Sequence, residues 1–252
     1  MILVRFFRWV LRIWTEIHEE ARAERRPGLD LRPLAVLFTV ALSLALQEFI
    51  GERTFFHRLF GGTRFAQGHY YQLWILAWWA GWRVVGYVVI PLLVIPFLGI
   101  PLRQYHVSPR GFVRHLPLYV LLFALVLPLV YLMAQTQAFQ RIYPFYKQAN
   151  RSAFDLWAWE ALYAIQFLAL EFFFRGFILV ALRPTFGVHA IWVMIVPYCM
   201  IHFGKTLAEA TGAIFAGIIL GTIALRTRSI WGGVAIHVCV ALTMDLLCVR
   251  KL

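Results

Sequence analysis

Several stretches of this sequence run for close to twenty residues with scarcely a charged side chain, and that fixes the solvent in which the chain folds. About twenty apolar residues in a helix cross the ~30 Å hydrocarbon core of a bilayer. Runs of this kind occur at 34–50, 70–100, 116–134, 153–182, 188–201, 211–225 and 230–249. Inside hydrocarbon only helices and closed barrels satisfy every backbone N–H and C=O. A barrel needs short strands alternating in polarity, whereas these runs are long and continuous. The expected fold is therefore all-α, a polytopic transmembrane bundle of seven spans, or eight if one overlong run divides. Composition agrees: 62% of residues are hydrophobic, 14% are charged and the mean hydropathy is +0.72. Soluble domains carry roughly 25% charge. Within 70–100, Pro91 and Pro96 suggest a kinked span or a re-entrant piece.

The net charge is +12 and the pI about 10.2. The basic residues mostly lie between the apolar runs, where topology requires them, and no soluble domain remains to bind nucleic acid. With a cytoplasmic amino terminus, the basic residues of 1–32, 103–114, Arg183, Arg226 and Arg228 fall on one side after alternate crossings. The loop carrying Arg141, Lys147 and Arg151 runs against that rule. An integral protein of the bacterial inner membrane is expected. Residues 1–30 form a separate element, with Ile2, Phe6, Trp9, Val10, Ile13, Trp14 and Ile17 on one helical face beside Arg5, Arg8 and Arg12. That pattern fits an amphipathic helix on an anionic leaflet, not a secretory signal peptide. Its second half, 19–26, reads as a charged solvated stretch ending at Pro27-Gly28. Residues 31–252 are expected to form one transmembrane domain without internal repeats. The odd, widely spaced cysteines (Cys199, Cys239, Cys248) imply buried, inert thiols rather than a disulfide framework.

Against this apolar background a few ionisable residues stand out: Arg83, Glu160, Glu171, Arg175, His202 and His237. A charge at mid-bilayer costs at least roughly 2.5–3.5 kcal/mol. Arg83 is expected to snorkel or pair within the bundle. Glu171 and Arg175, four apart, can meet on a helix as a buried ion pair. Glu160, about three turns before Glu171, is a reserve carboxylate. Single intramembrane histidines are usually packing residues. Together with Glu171, however, they fit peptide hydrolysis, in which a carboxylate and an imidazole polarise water and another imidazole steadies the oxyanion. Two histidines and a glutamate also suffice for Zn²⁺, although no His-Glu-x-x-His is present.

The run Glu171-x-x-x-Arg175-Gly176, then Tyr198-x-x-x-His202, then Ser229-Ile230-Trp231 leading to His237, resembles the CAAX protease and bacteriocin-processing (CPBP) family. This group of polytopic intramembrane endopeptidases includes the Rce1-type prenyl-protein proteases. The resemblance covers about 155–248, including the small residues Gly212, Ala213, Ala216, Gly217 and Gly221. It implies Glu171, His202 and His237 as catalytic, Arg175 as supporting, and a membrane-anchored or lipid-modified protein as substrate. Two positions depart from the family pattern. Leu170 stands where the first of two adjacent glutamates is usual, and Ala241 where the third motif has Asn or Asp. Glu209 is a candidate for the missing carboxylate, or else a favourable first-turn acid. Asp245, eight residues after His237, lies about 12 Å along a helix and ~80° round, so it can only support. Zinc is possible but not favoured, because Arg175 sits one turn from Glu171 and would repel a dication. The expected function is a glutamic-type intramembrane endopeptidase without a cofactor. The alternative is a catalytically inactive relative that binds or escorts membrane proteins. A proton-coupled transporter ranks last, for want of inverted repeats.

Overall fold

The computed structural model describes residues 2–24 and 28–249, with the side chains of Ile2 and Leu3 excepted. Arg25, Arg26 and Pro27 of the charged stretch, and the side chain of Ile2, lie outside the described residues. Among those described the chain is helical throughout its regular elements, with no strand. The first helices are α1 (Ile2–Ala23), α2 (Arg32–Phe49), α3 (Arg53–Phe60), α4 (Tyr71–Val84) and α5 (Ile90–Leu98). There follow α6 (Arg110–Arg114), α7 (Leu116–Met133), α8 (Gln137–Ile142) and α9 (Ala153–Glu171). The last are α10 (Leu179–Phe186), α11 (Ala190–Met200), α12 (Leu207–Thr227) and α13 (Trp231–Val249).

Among the described residues six helical stretches are long and apolar enough to cross a membrane: Arg32–Phe49, Tyr71–Leu98, Leu116–Met133, Ala153–Met200, Leu207–Thr227 and Trp231–Val249. The chain is an integral membrane protein. The runs expected separately at 153–182 and 188–201 hold separate α-helices: α10 ends at Phe186 and α11 begins at Ala190, with Gly187 at φ 57° between them. The run 70–100 does not divide. Val85–Val89 winds as a π-turn between α4 and α5, and Pro91, which has no N–H to donate to the helix ladder, follows in the first turn of α5.

The chain forms two compact units, each assembled from separate segments. The first comprises Met1–Val40, Leu92–Arg114 and Phe172–Trp231. Within it α11 and α12 pack closely, because Gly217 faces Ile195 and Tyr198 while Gly221 faces Ile191 and Met194. Small residues bring helices together where lipid supplies no hydrophobic drive. The Ser229-Ile230-Trp231 corner holds the loop before α6. Ser229 Oγ donates to Ser108 O (2.9 Å), Trp231 Nε1 to Val107 O (2.8 Å) and the Ile230 amide to His106 O (3.0 Å).

Helix α1 is divided in its surroundings. Ile13, Ile17 and Ala21, at four-residue spacing, are buried within this unit, and Trp14 Nε1 donates to Thr222 Oγ1 (3.1 Å). Val4, Phe6, Phe7, Trp9 and Leu11 remain exposed. The acidic second half is not simply solvated, contrary to the expectation. Glu16 pairs with Arg226 (3.0 Å), Glu20 with Arg228 (3.6 Å) and Glu24 with Arg183. Periodicity marks such acids as polar but does not show that arginines from α10 and α12 end beside them.

The second unit comprises Ala41–Pro91, His115–Glu171 and Gly232–Leu252. Here α4 packs on α9, and α7, α8 and α13 share a cluster of Val130, Ala134, Phe139, Tyr143, Met244 and Cys248. Arg83 pairs as expected, donating to Gln47 Oε1 (2.9 Å) and Tyr87 Oη (3.4 Å). Of the three thiols, all free, only Cys248 is buried; Cys199 is intermediate and Cys239 exposed, which corrects the expectation of three buried cysteines. Cys239 sits on the outward face of α13, where an apolar thiol suits lipid as well as protein.

The seating of α1 is testable. Ile17→Ala should destabilise the protein by about 2–4 kcal/mol, the usual cost of an Ile-to-Ala cavity. Val4→Ala, at an exposed position, should stay within about 0.5 kcal/mol, both read as thermal unfolding in detergent.

Candidate functional site

Glu171 closes α9, and His237 lies two turns into α13, both in the second unit. Their side chains meet: His237 Nδ1 is 2.8 Å from Glu171 Oε1 and 3.2 Å from Gly233 O. Both partners of Nδ1 are acceptors, so that nitrogen carries the proton and Nε2 is the basic atom in the neutral ring. The carboxylate is 1% exposed and the imidazole 16%. Phe167, one turn before Glu171, stacks on the imidazole with ring centroids 5.3 Å apart and planes 9° apart, fixing its orientation.

This pairing depends on the double glycine that opens α13. A Cβ on Gly233 would run into the Glu171 carboxylate, and one on Gly232 into the Tyr119 ring. Deeper in the unit, Trp159 Nε1 donates to Asp245 Oδ2 (2.6 Å), tying α9 to α13. Asp245 is fully buried. Glu160, the reserve carboxylate, is buried next in sequence to Trp159, and its Oε1 has no hydrogen-bond partner among the described residues.

The remaining candidates belong to the first unit. His202 follows α11, and its Nδ1 lies 2.8 Å from Tyr198 O, while its ring sits edge-on to Tyr198 at 5.1 Å. As in His237, the carbonyl four residues back takes the Nδ1 proton and leaves Nε2 as the basic nitrogen. Arg175 falls in the π-wound segment Phe172–Ile178 and lies over the Tyr198 ring at 4.1 Å, a buried cation–π contact. Glu209 occupies the third position of α12. Thr206 Oγ1 accepts from its amide (3.3 Å) and donates to its Oε1 (3.1 Å), and Lys205 Nζ lies 3.7 Å from Oε2. Glu209 thus takes part in the helix cap, the first-turn role foreseen as its alternative.

Sequence reasoning missed Phe167 and the Gly232-Gly233 pair. Phe167 is four residues before Glu171, on the same helical face, which was the available signal. Among the described residues no three His, Cys, Asp or Glu side chains are grouped to hold a metal ion. The Glu171–His237 pair offers two donors, and its Nδ1 is already engaged by carboxylate and carbonyl, which does not fit a zinc ligand set.

The importance of the glycine seat can be measured. Gly233→Ala should lower any Glu171-dependent activity at least tenfold by displacing the carboxylate, while Gly212→Ala, where a Cβ meets open space, should leave it unchanged.

Residues 152–243 match the family model described as type II CAAX prenyl endopeptidase Rce1-like. That stretch runs from the start of α9 into α13 and includes Glu171, Arg175, His202, Glu209 and His237. No curated protein and no solved structure matches the chain.

Proposed function

We propose that this Rce1-like chain is a membrane-embedded endopeptidase whose central acid–base pair is Glu171 and His237. The observation that carries the reading is their 2.8 Å contact, with the carboxylate buried and the imidazole the more accessible partner. That arrangement favours His237, not Glu171, as the group that meets water. His237 Nε2 removes a proton from water as the oxygen adds to the scissile carbonyl carbon. Glu171 holds the resulting imidazolium, which steadies the oxyanion and then passes its proton to the leaving amine as the C–N bond breaks. His202, matched by the motif, belongs to the first unit and is proposed as a further acid–base group on that resemblance alone. Arg175 and Asp245 are positioning residues. The substrate is a membrane-anchored or lipid-modified protein, and the exposed apolar and basic first half of α1 lies on the leaflet. The amino terminus is cytoplasmic in this proposal.

A second reading, an inactive relative that escorts membrane proteins, draws on Leu170 and Ala241. Both are buried apolar side chains where the family usually has polar ones. Site variants separate the two. His237→Ala and His202→Ala should each reduce cleavage of a lipidated peptide in liposomes at least a hundredfold, within the usual 10²–10⁴ worth of general acid–base groups. Full biological activity with His237→Ala would favour the escort instead. Glu171→Gln keeps the shape but loses the charge that holds the imidazolium, and should cost roughly 10²-fold or more.

The proposed chemistry uses no metal. Elemental analysis of purified protein should find no stoichiometric zinc, and cleavage should persist in chelator. Roughly one zinc per chain, lost together with activity in His202→Ala, would overturn this.

A further inference from the structure

The second unit contains a cavity of about 310 Å³, remote in sequence from the Rce1-like motifs, whose polar lining is cationic. Arg53, from the first turn of α3, and Lys147, from the loop before α9, contribute its two charges, with Gln72 and Gln148 beside them and Ile75 and Leu76 as an apolar wall. The guanidinium of Arg53 lies beside two neighbouring rings, 5.7 Å from the Trp79 centroid and 5.0 Å from that of Phe145. Among the described residues it has no hydrogen bond or ion pair. Lys147 Nζ reaches only the carbonyls of Gln140 and Tyr143, at 3.3 Å each.

The acids nearby do not neutralise these cations. Asp155 is committed to Arg151, Ser152 and Tyr146. Glu52, adjacent to Arg53 in sequence, makes no ion pair with it, and Asp245 is held by Trp159. Burial pushes Arg53 below its ordinary pKa, with Glu52 only partly offsetting it. A bound anion would supply the missing compensation.

The surroundings identify the kind of anion. Tyr70, Trp74, Phe154 and Trp157 are exposed around this end of α4 and α9, forming the aromatic belt typical of headgroup depth. Arg151 donates to His69 O (2.8 Å), and Tyr70 packs on Phe154 at 5.4 Å. The loops 50–70 and 134–152 therefore meet at one membrane face. These loops hold Arg53, Arg58, Arg64, Arg141, Lys147 and Arg151, the basic residues that positive-inside topology leaves unexplained. A cationic pocket with apolar walls, opening at headgroup level, matches a phosphodiester attached to acyl chains.

We propose that the Arg53–Lys147 cavity is a binding site for the phosphate of an anionic phospholipid headgroup. The site is independent of the peptidase reading, since binding is measured without turnover. The test is native mass spectrometry of the full-length protein in detergent, titrated with phosphatidylglycerol, phosphatidylcholine or soluble glycerol phosphate. Phosphatidylglycerol should be retained several-fold more tightly than phosphatidylcholine. Arg53→Gln and Lys147→Gln should each weaken it, Arg53→Gln by roughly tenfold, the scale of a lost charge-assisted hydrogen bond. Arg58→Gln, on the same helix but at an exposed position, should change nothing. Phosphatidylglycerol should also raise the melting temperature of the wild type and Arg58→Gln more than that of Lys147→Gln. That variant alters an exposed side chain and so keeps the test decisive if Arg53→Gln does not fold. Equal retention of both lipids, or equal effects of Arg53→Gln, Lys147→Gln and Arg58→Gln, would overturn the site. Binding of glycerol phosphate as tight as that of the lipid would overturn the lipid assignment.

Discussion

The hydrocarbon core offers no water to a polar group, so each such group in a spanning segment must find its partner within the protein. The backbone meets this demand by remaining helical through all six candidate spans. Side chains meet it case by case. Arg83 takes Gln47 and Tyr87, Trp159 takes Asp245, and Glu171 takes His237. His202 and His237 each use the carbonyl four residues back. In water that bond would be a minor local preference. In a segment removed from water it fixes the tautomer, and with it the nitrogen left for chemistry.

Such pairings require close helix approach, and glycine supplies it. Gly217 and Gly221 admit side chains of α11 against α12, while Gly232 and Gly233 admit Tyr119 and the Glu171 carboxylate against α13. The same absence of a Cβ that lets helices pack in lipid thus brings a carboxylate to an imidazole. Packing and function are linked at Gly233 through one steric fact.

Charge outside the spans is organised by a different rule. In α1 the acids at Glu16, Glu20 and Glu24 meet arginines of α10 and α12, while the preceding turns leave Phe6, Phe7, Trp9 and Leu11 exposed. One half of the helix is a packing element of its unit, and the other presents an apolar, basic surface. In the second unit Arg151 is matched to Asp155, whereas Arg53 lies beside aromatic rings with no ion pair among the described residues. Net charge alone treats these arginines alike; their neighbours distinguish them.

The length and continuity of the apolar runs determined the helical membrane fold by themselves, because only one backbone solution exists in lipid for runs of that kind. The short motifs around Glu171, His202 and His237 were likewise legible, since charged and imidazole side chains are conspicuous where each costs free energy to bury. The break between 153–182 and 188–201 was also legible, and Gly187 is where the chain turns between α10 and α11. The sequence did not show that Phe167 would stack on His237, or that Gly233 would make room for the Glu171 carboxylate. Those outcomes belong to tertiary structure. Periodicity gives the face on which a residue lies, but only packing between distant segments decides what it touches there.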